Sequence, residues 1–194
     1  LYRLGFDVDD VIVNTMENVV NYINHHLPEV NLKLEEVNEY WIEKLLPPAY
    51  EWIVKFAFHD SQMWRNVKMI DGVAEVLEKF YKDGNEIYFC TATTPDNFRK
   101  KIKFLERNFS FFPKDYVRTH SISIQNKQLL MLDFLVDDYF ENLSGDRNYI
   151  SICYDRPWNR DCFEETGSFY RVKNWQEIYE IIKDYDKGYG NKDN

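Results

Sequence analysis

Three things are scarce in this 194-residue chain, and each scarcity closes off a class of protein. Cysteine is the first. Cys90, Cys153 and Cys162 are an odd number with no CxxC pair, a pattern that points away from a disulfide framework. Cys90 and Cys153 lie in apolar runs and are expected to be buried free thiols, which fits a reduced, cytoplasmic setting. Histidine is the second, with four residues. His25 and His26 are neighbours that point in different directions on a helix and make no metal pair, and His59 and His120 have no partner at ligand spacing. Positive charge is the third. Lysine and arginine number 24 against 33 acids, a net charge of -9, so no broad positive field is available for a nucleic-acid polymer or an anionic membrane. A small phosphorylated ligand needs only local cations and stays open. No apolar run approaches a membrane span, and no signal-peptide pattern is visible.

What is present suffices for a packed core: 44% of residues are apolar and 17% aromatic. The length suits one domain, or a core with one insertion. Tyr2 to Val8 reads as a buried strand. From Asn14 the period changes, and Met16, Val19, Val20, Ile23 and Leu27 recur at helical spacing until Pro28. The stretch from Asn14 to Met69 reads as all-helical, with a further helix over Ala49 to Phe58. A helical block straight after the first strand, before alternation resumes, reads as an insertion. Thereafter helix and strand alternate. A helix runs from Val73 to Phe80 and a strand from Glu86 to Cys90. Thr94-Pro95 has the chemistry of a helix cap followed by the first helical residue. A short strand falls within Tyr116 to Ile124, and a small helix runs from Lys127 to Leu132. Phe134 to Val136, Tyr149 to Cys153 and Phe169 to Val172 read as strands, Trp175 to Ile182 as the last helix, and Asp184 to Asn194 as a fraying tail. The expected fold is α/β: a Rossmann-like, mostly parallel sheet flanked by helices, with a small helical cap inserted after the first strand. Residues 1–14 and 70–186 form the core, 15–69 the cap and 187–194 a polar tail.

Chemistry collects at the strand ends. Asp7 and Asp9 follow the first strand, Thr91 the second, and Asp137-Asp138 a later one. Lys127 sits on the approach to that last strand. In a parallel sheet these ends share one edge, where ligands bind. Several carboxylates together repel unless a cation joins them, and an oxygen-only donor set suits Mg²⁺. A carboxylate attacking a phosphomonoester needs that metal and a fixed positive group, which Lys127 supplies. Thr91 and the amide of Ala92 are placed to hold phosphoryl oxygens, with the helix from Pro95 adding its dipole.

The ordered set Asp7-Val8-Asp9-Asp10-Val11, Thr91, Lys127 and Asp137-Asp138 resembles the haloacid dehalogenase superfamily of aspartate-based phosphatases. The segments Cys90 to Pro95, Phe134 to Asp138 and Arg156-Pro157-Trp158-Asn159 resemble, more loosely, its 5'(3')-deoxyribonucleotidase members. The resemblance implies Asp7 as nucleophile and Asp9 as acid and then base. It implies Mg²⁺ on Asp7, the Asp9 carbonyl and Asp138, with Asp137 a second or alternate ligand, and Thr91, Ala92 and Lys127 on the phosphate. The substrate so implied is a small phosphomonoester of the nucleoside monophosphate class. Two departures stand out. Asp10 replaces a glycine common in relatives, and Ala92 replaces a frequent serine.

Other readings stay open at this point. A lone lysine is usually a solvated surface charge. The insertion's aromatics are first of all its own small core, with Phe56, Phe58 and Trp64, towards the return to the core, the candidates for substrate contact. Arg156 and Arg160 are surface charges or reach the phosphate edge. A sugar phosphate is an alternative substrate. A phospho-accepting regulatory domain also gathers acids, Thr and Lys at strand ends, but places an acidic pair first, whereas DxD comes first here. A homodimer is an open option for assembly.

Overall fold

The strands are short and apolar, and their pleat divides the core in two. The computed structural model describes residues 1–60, 63–162 and 169–189. Strands β1 (Arg3–Phe6), β2 (Glu86–Thr91), β3 (Ser121–Ser123), β4 (Phe134–Asp137), β5 (Ile150–Tyr154) and β6 (Tyr170–Val172) form one sheet in the order β3-β2-β1-β4-β5-β6. Every pairing is parallel; Phe6 lies opposite Phe89 on one side and Val136 on the other. β1 is thus central, and the strand order reverses across it, which opens the crevice where such sheets hold ligands.

Alternate residues serve opposite faces. Leu4, Phe6, Ile87, Phe89, Phe134, Val136 and Ile152 join the larger cluster, while Cys90, Leu135 and Cys153 join a smaller one with Leu132, Leu143 and Tyr149. Both faces are covered, as a parallel sheet requires. The larger face lies under α4 (Val73–Lys82) and α8 (Trp175–Tyr189), where Phe6 stacks on Trp175 with ring centroids 5.0 Å apart. Gly5, on the smaller face, has no room for a side chain: a Cβ there would lie 2.4 Å from Leu132 Cδ1.

The segment between β1 and α4 contains α1 (Thr15–His26), α2 (Trp52–His59) and the short α3 (Met63–Asn66). It is less helical than its sequence suggests. Residues 27–51 hold three single 3-10 turns: Leu27, Val30, Leu34, Val37 and Trp41 recur at helical spacing, but Pro28 and Pro47-Pro48 bound the stretch and no α-helix forms there. The segment leaves and rejoins the sheet side by side: Asn14 N–H donates to the Lys68 carbonyl at 2.9 Å, and Ile70 N–H to the Ile12 carbonyl at 2.9 Å.

Other elements depart from expectation locally. After α5 (Pro95–Asn108), the first half of the region expected to hold a strand is α6 (Tyr116–Thr119), and only β3 is extended. Tyr116 stacks on Phe112 and His120, one helical turn away on each side. Lys127–Leu129 is a single 3-10 turn that stops short of Leu132, and α7 (Phe140–Leu143) follows β4. Thr94 occupies the cap position of α5, but its side chain makes no capping bond. The last helix runs to Tyr189 instead of fraying from Asp184: Ile178 and Ile182 are buried, and Lys183 Nζ reaches Asp83 at 3.1 Å. Residues 190–194 of the expected tail lie outside the described residues. Cys90 and Cys153 are buried free thiols as expected, and Cys162 is half-buried. No helix among the described residues is long and apolar enough to cross a membrane.

Candidate active site

Asp7 follows the last residue of β1, and its N–H donates to Val136 of β4 at 2.9 Å. Its carboxylate therefore emerges beside Asp137 and Asp138 at the end of β4. Carboxylate oxygens of Asp7, Asp137 and Asp138 lie within 4.8 Å of one another, all three residues buried. Lys127, only 2% exposed, sits between two of them, with Nζ 2.5 Å from Asp7 Oδ1 and 2.6 Å from Asp137 Oδ2. The reading of Lys127 as a solvated surface charge is thereby overturned.

The electrostatics follow from burial and crowding. Burial pushes the Asp7 carboxyl up to about 7; Lys127 works against that shift, and Asp137 and Asp9 add repulsion. Burial also raises Asp138 well above the usual carboxylate range, assisted by Asp137, Asp7 and Asp10. Burial alone would lower Lys127, but Asp137 and Asp7 outweigh it and hold the ammonium above its ordinary value. One lysine among three buried acids leaves the cluster short of positive charge, and its donors are hard oxygens, a set that fits Mg²⁺.

The two aspartates of β4 are held differently. Asp137 is heavily engaged: Oδ2 accepts from Lys127 and from Asn142 Nδ2 at 3.1 Å, and Oδ1 from the Tyr139 N–H at 2.9 Å. Asp138 receives the Trp158 indole N–H on Oδ2 at 2.8 Å, while its backbone carbonyl accepts from Asn159 Nδ2 at 2.8 Å. The Arg-Pro-Trp-Asn segment thus serves to aim Asp138.

Asp9 lies on the other side. Thr15 Oγ1 donates to its Oδ1 at 2.7 Å, and Lys101 Nζ pairs with its Oδ2. The same Lys101 Nζ donates to Thr91 Oγ1 at 2.6 Å. Thr91 is buried at the end of β2, and Ala92 is exposed just beyond it.

Asp10 carries the turn between these halves. Its φ is 54°, a left-handed conformation that glycine adopts freely and aspartate tolerates better than most. Both carboxylate oxygens lie 3.1 Å from the Met16 N–H at the start of α1, satisfying one of that helix's unpaired donors. Its carbonyl accepts from Arg156 Nε at 2.7 Å. Arg156 thus braces the turn, while Arg160 makes an exposed pair with Asp155 at 3.5 Å.

The aromatics divide as well. Phe56 is exposed and edge-on to Trp52, and Phe58 is partly buried with its carbonyl accepting from Asn97. Trp64 is buried against Phe104 and beneath Lys101, whose Nζ is 5.7 Å from the ring centre. The ring that feels the carboxylates is another one. The Tyr40 phenol is raised first by burial and then by the charges of Asp138, Asp7, Asp137 and Asp9. It stacks on Tyr139 at 3.9 Å, with the half-exposed Trp41 edge-on to both.

A family model described as "5' nucleotidase, deoxy (Pyrimidine), cytosolic type C protein" matches residues 2–186. The chain belongs to this family. As a type C nucleotidase it is a phosphatase with a haloacid dehalogenase-like core. It is 23% identical to the "Putative nucleotidase" of Halalkalibacterium halodurans over 97% of this chain and 96% of that one. It is also 23% identical to a Bacillus cereus protein of the same description, over 93% and 98%. In fold it resembles a haloacid dehalogenase-like protein of Agrobacterium tumefaciens (TM-score 0.64, 15% identity, 94% and 98% covered). It is similar too to a hydrolase of the same superfamily from Deinococcus radiodurans crystallised with phosphate and sodium (TM-score 0.62, 14% identity, 94% and 95% covered).

Reading the sequence of this type C nucleotidase without its fold passes over Lys101, Thr15 and the Tyr40, Trp41 and Tyr139 group. A signal for Lys101 exists. Asn97, Lys101, Phe104 and Leu105 fall on one stripe of α5, and all four are buried. A lysine on the buried stripe of an amphipathic helix needs a partner, and Asp9 is that partner.

Proposed function

We propose that this chain is a Mg²⁺-dependent nucleotidase that hydrolyses deoxyribonucleoside monophosphates through an aspartyl-phosphate on Asp7. The observation that carries the reading is the buried Asp7–Lys127–Asp137 contact with Asp138 beside it and Asp9 opposite. Asp7 attacks phosphorus as the ester P–O bond breaks, and the departing oxygen takes a proton from Asp9. Asp9 then removes a proton from water as it attacks the phosphoryl group and releases Asp7. Thr91, the Ala92 amide and Lys127 hold the phosphoryl oxygens. Asp7, the Asp9 carbonyl and Asp138 would hold Mg²⁺, which supplies charge neutralisation for the transferring group. Asp138 is preferred to Asp137 because the oxygens of Asp137 are already engaged by Lys127, Asn142 and Tyr139.

Residues 15–69 act as the specificity cap in this reading. Tyr40 and Trp41 from that segment meet Tyr139 from the core next to the acids. Flat, half-exposed rings of this kind suit a nucleobase better than a bare sugar. The family is described as cytosolic, and a cytoplasmic location is proposed accordingly. Phosphate release from a panel of deoxyribonucleotides, ribonucleotides and sugar phosphates with Mg²⁺ tests the substrate. Turnover of deoxyribonucleotides above the others is expected, and sugar phosphates leading the panel would overturn it. Asp7→Asn should lower turnover by at least about 10³-fold, as loss of a nucleophile does. Retained turnover would remove Asp7 from its role.

A further inference from the structure

Lys101 has no role in the reaction so far. It is 3% exposed, on the middle of α5, and its ammonium touches two groups that belong to different parts of the chemistry. One is Asp9 Oδ2, on the turn after β1; the other is Thr91 Oγ1, at the end of β2. Ninety-two residues separate Lys101 from Asp9. A buried ammonium is costly unless it is paired, so this lysine is held in place by what it binds. Its Nζ also lies 5.7 Å from the centre of the buried Trp64 ring, and Phe104 packs against Trp64 from the next turn of α5. Thr15 donates to the remaining oxygen of Asp9. Both oxygens of Asp9 are therefore tethered, one to α1 and one to α5. Its side-chain exposure of 28% leaves it open towards the crevice.

We infer that Lys101 is a positioning residue for Asp9. It holds the proton-donating carboxyl in register with the Thr91 hydroxyl that marks where the phosphoryl group sits. Misplacing a proton donor by about an ångström is enough to cost on the order of 10²-fold in rate. The inference rests on Asp9 being the acid of the proposed reaction. It differs from the role of Lys127, which contacts the nucleophile itself.

The test exploits leaving groups. An acid matters most when the departing oxygen is a poor leaving group, and little when it leaves readily. Wild type, Lys101→Met and Lys101→Arg are assayed for kcat/KM with thymidine 5'-monophosphate, phenyl phosphate and 4-nitrophenyl phosphate. Lys101→Met is expected to lose about 10²-fold on thymidine 5'-monophosphate, the size of a general-acid contribution. The loss should be less than about tenfold on 4-nitrophenyl phosphate, with phenyl phosphate between. Lys101→Arg, which keeps the cation on a differently shaped head, should show the same ordering with smaller losses. It carries the measurement alone if the methionine variant does not fold. Asp9→Asn supplies the second arm: added to it, Lys101→Met should cost less than about threefold more, because the two residues act as a unit. Equal losses on all three esters, or full additivity with Asp9→Asn, would overturn the inference. Failure of the nucleotide reading looks different: wild type then turns over the aryl phosphates but not thymidine 5'-monophosphate, and the inference is read from the two aryl esters.

Discussion

Two buried lysines divide the carboxyl edge of the sheet into unlike halves. Lys127 lies between two carboxylates, Asp7 and Asp137, and is almost sealed from solvent. Lys101 lies between one carboxylate and one hydroxyl, Asp9 and Thr91, and its carboxylate partner remains partly open. The first half is dense in charge and rigid, with Asp137 further tied to Tyr139 and Asn142. The second is lighter in charge and built across three elements. In the proposed reaction the nucleophile Asp7 has to be kept in one place against repulsion, whereas Asp9, as acid and base, must exchange protons with the crevice. The difference in burial matches that difference in task.

The largest effect should come from breaking the sealed half. Lys127→Met leaves Asp7 and Asp137 buried without their shared cation, a change of about 3–5 kcal/mol for an orphaned buried charge. Denaturant unfolding should show that loss, and turnover should fall by more than the roughly 10²-fold expected for Lys101→Met. If Lys101→Met is the more damaging variant, the halves have been ranked wrongly. Next comes Trp158→Phe, which keeps the ring but removes the N–H from Asp138. Divalent-cation affinity should weaken by about 10–100-fold, as loss of a ligand's supporting contact does, and Mg²⁺ titration of activity measures it. Unchanged affinity would detach Asp138 from the metal.

Smaller effects sharpen the comparison from outside. Trp41→Ala removes a half-exposed ring edge-on to Tyr139. It should raise KM for deoxyribonucleotides by about tenfold, the scale of one aromatic contact, with kcat little changed. An equal loss in kcat would place that ring in the chemistry. The smallest effect concerns the turn between the halves. Burial pushes the Asp10 carboxyl up to about 7, opposed by Arg156 and the Met16 N–H. The sign follows from linkage: a carboxyl raised by folding contributes stability below its unfolded value of about 4 and loses it as pH rises through about 7. Asp10→Asn mimics the neutral form and tolerates the positive φ. It should unfold like the wild type at pH 5 and at higher denaturant than the wild type at pH 8; the reverse order at pH 8 would show that the ionised form is the stabilised one.

Some of this was legible in the residues and some was not. The short apolar strands and their polar ends could be read because alternation and burial are local in sequence. So could Asp7, Thr91, Lys127 and Asp137-Asp138, because each directly follows or precedes such a strand. Residues 27–51 read as helix because Leu27, Val30, Leu34, Val37 and Trp41 recur at helical spacing, whereas Pro28 and Pro47-Pro48 break the stretch into single turns. α6 was hidden because Tyr116 and Val117 are residue types that favour strands, while the stack of Tyr116 on His120, four residues on, shows only in the fold. Asp10 stood out as a departure without an explanation until its backbone angle and its bond to Met16 supplied one.

By itself the sequence determined that strands and helices alternate and that acids gather at the ends of the strands. These follow from residue type and spacing, which need no folding to read. Only the tertiary structure decided which groups meet. It joined Lys101 to Asp9, Trp158 to Asp138, and Tyr40 to Tyr139, across separations that leave no periodic trace. It also distinguished Asp137 from Asp138, adjacent residues of one type, because successive side chains leave a strand on opposite faces and so meet different neighbours.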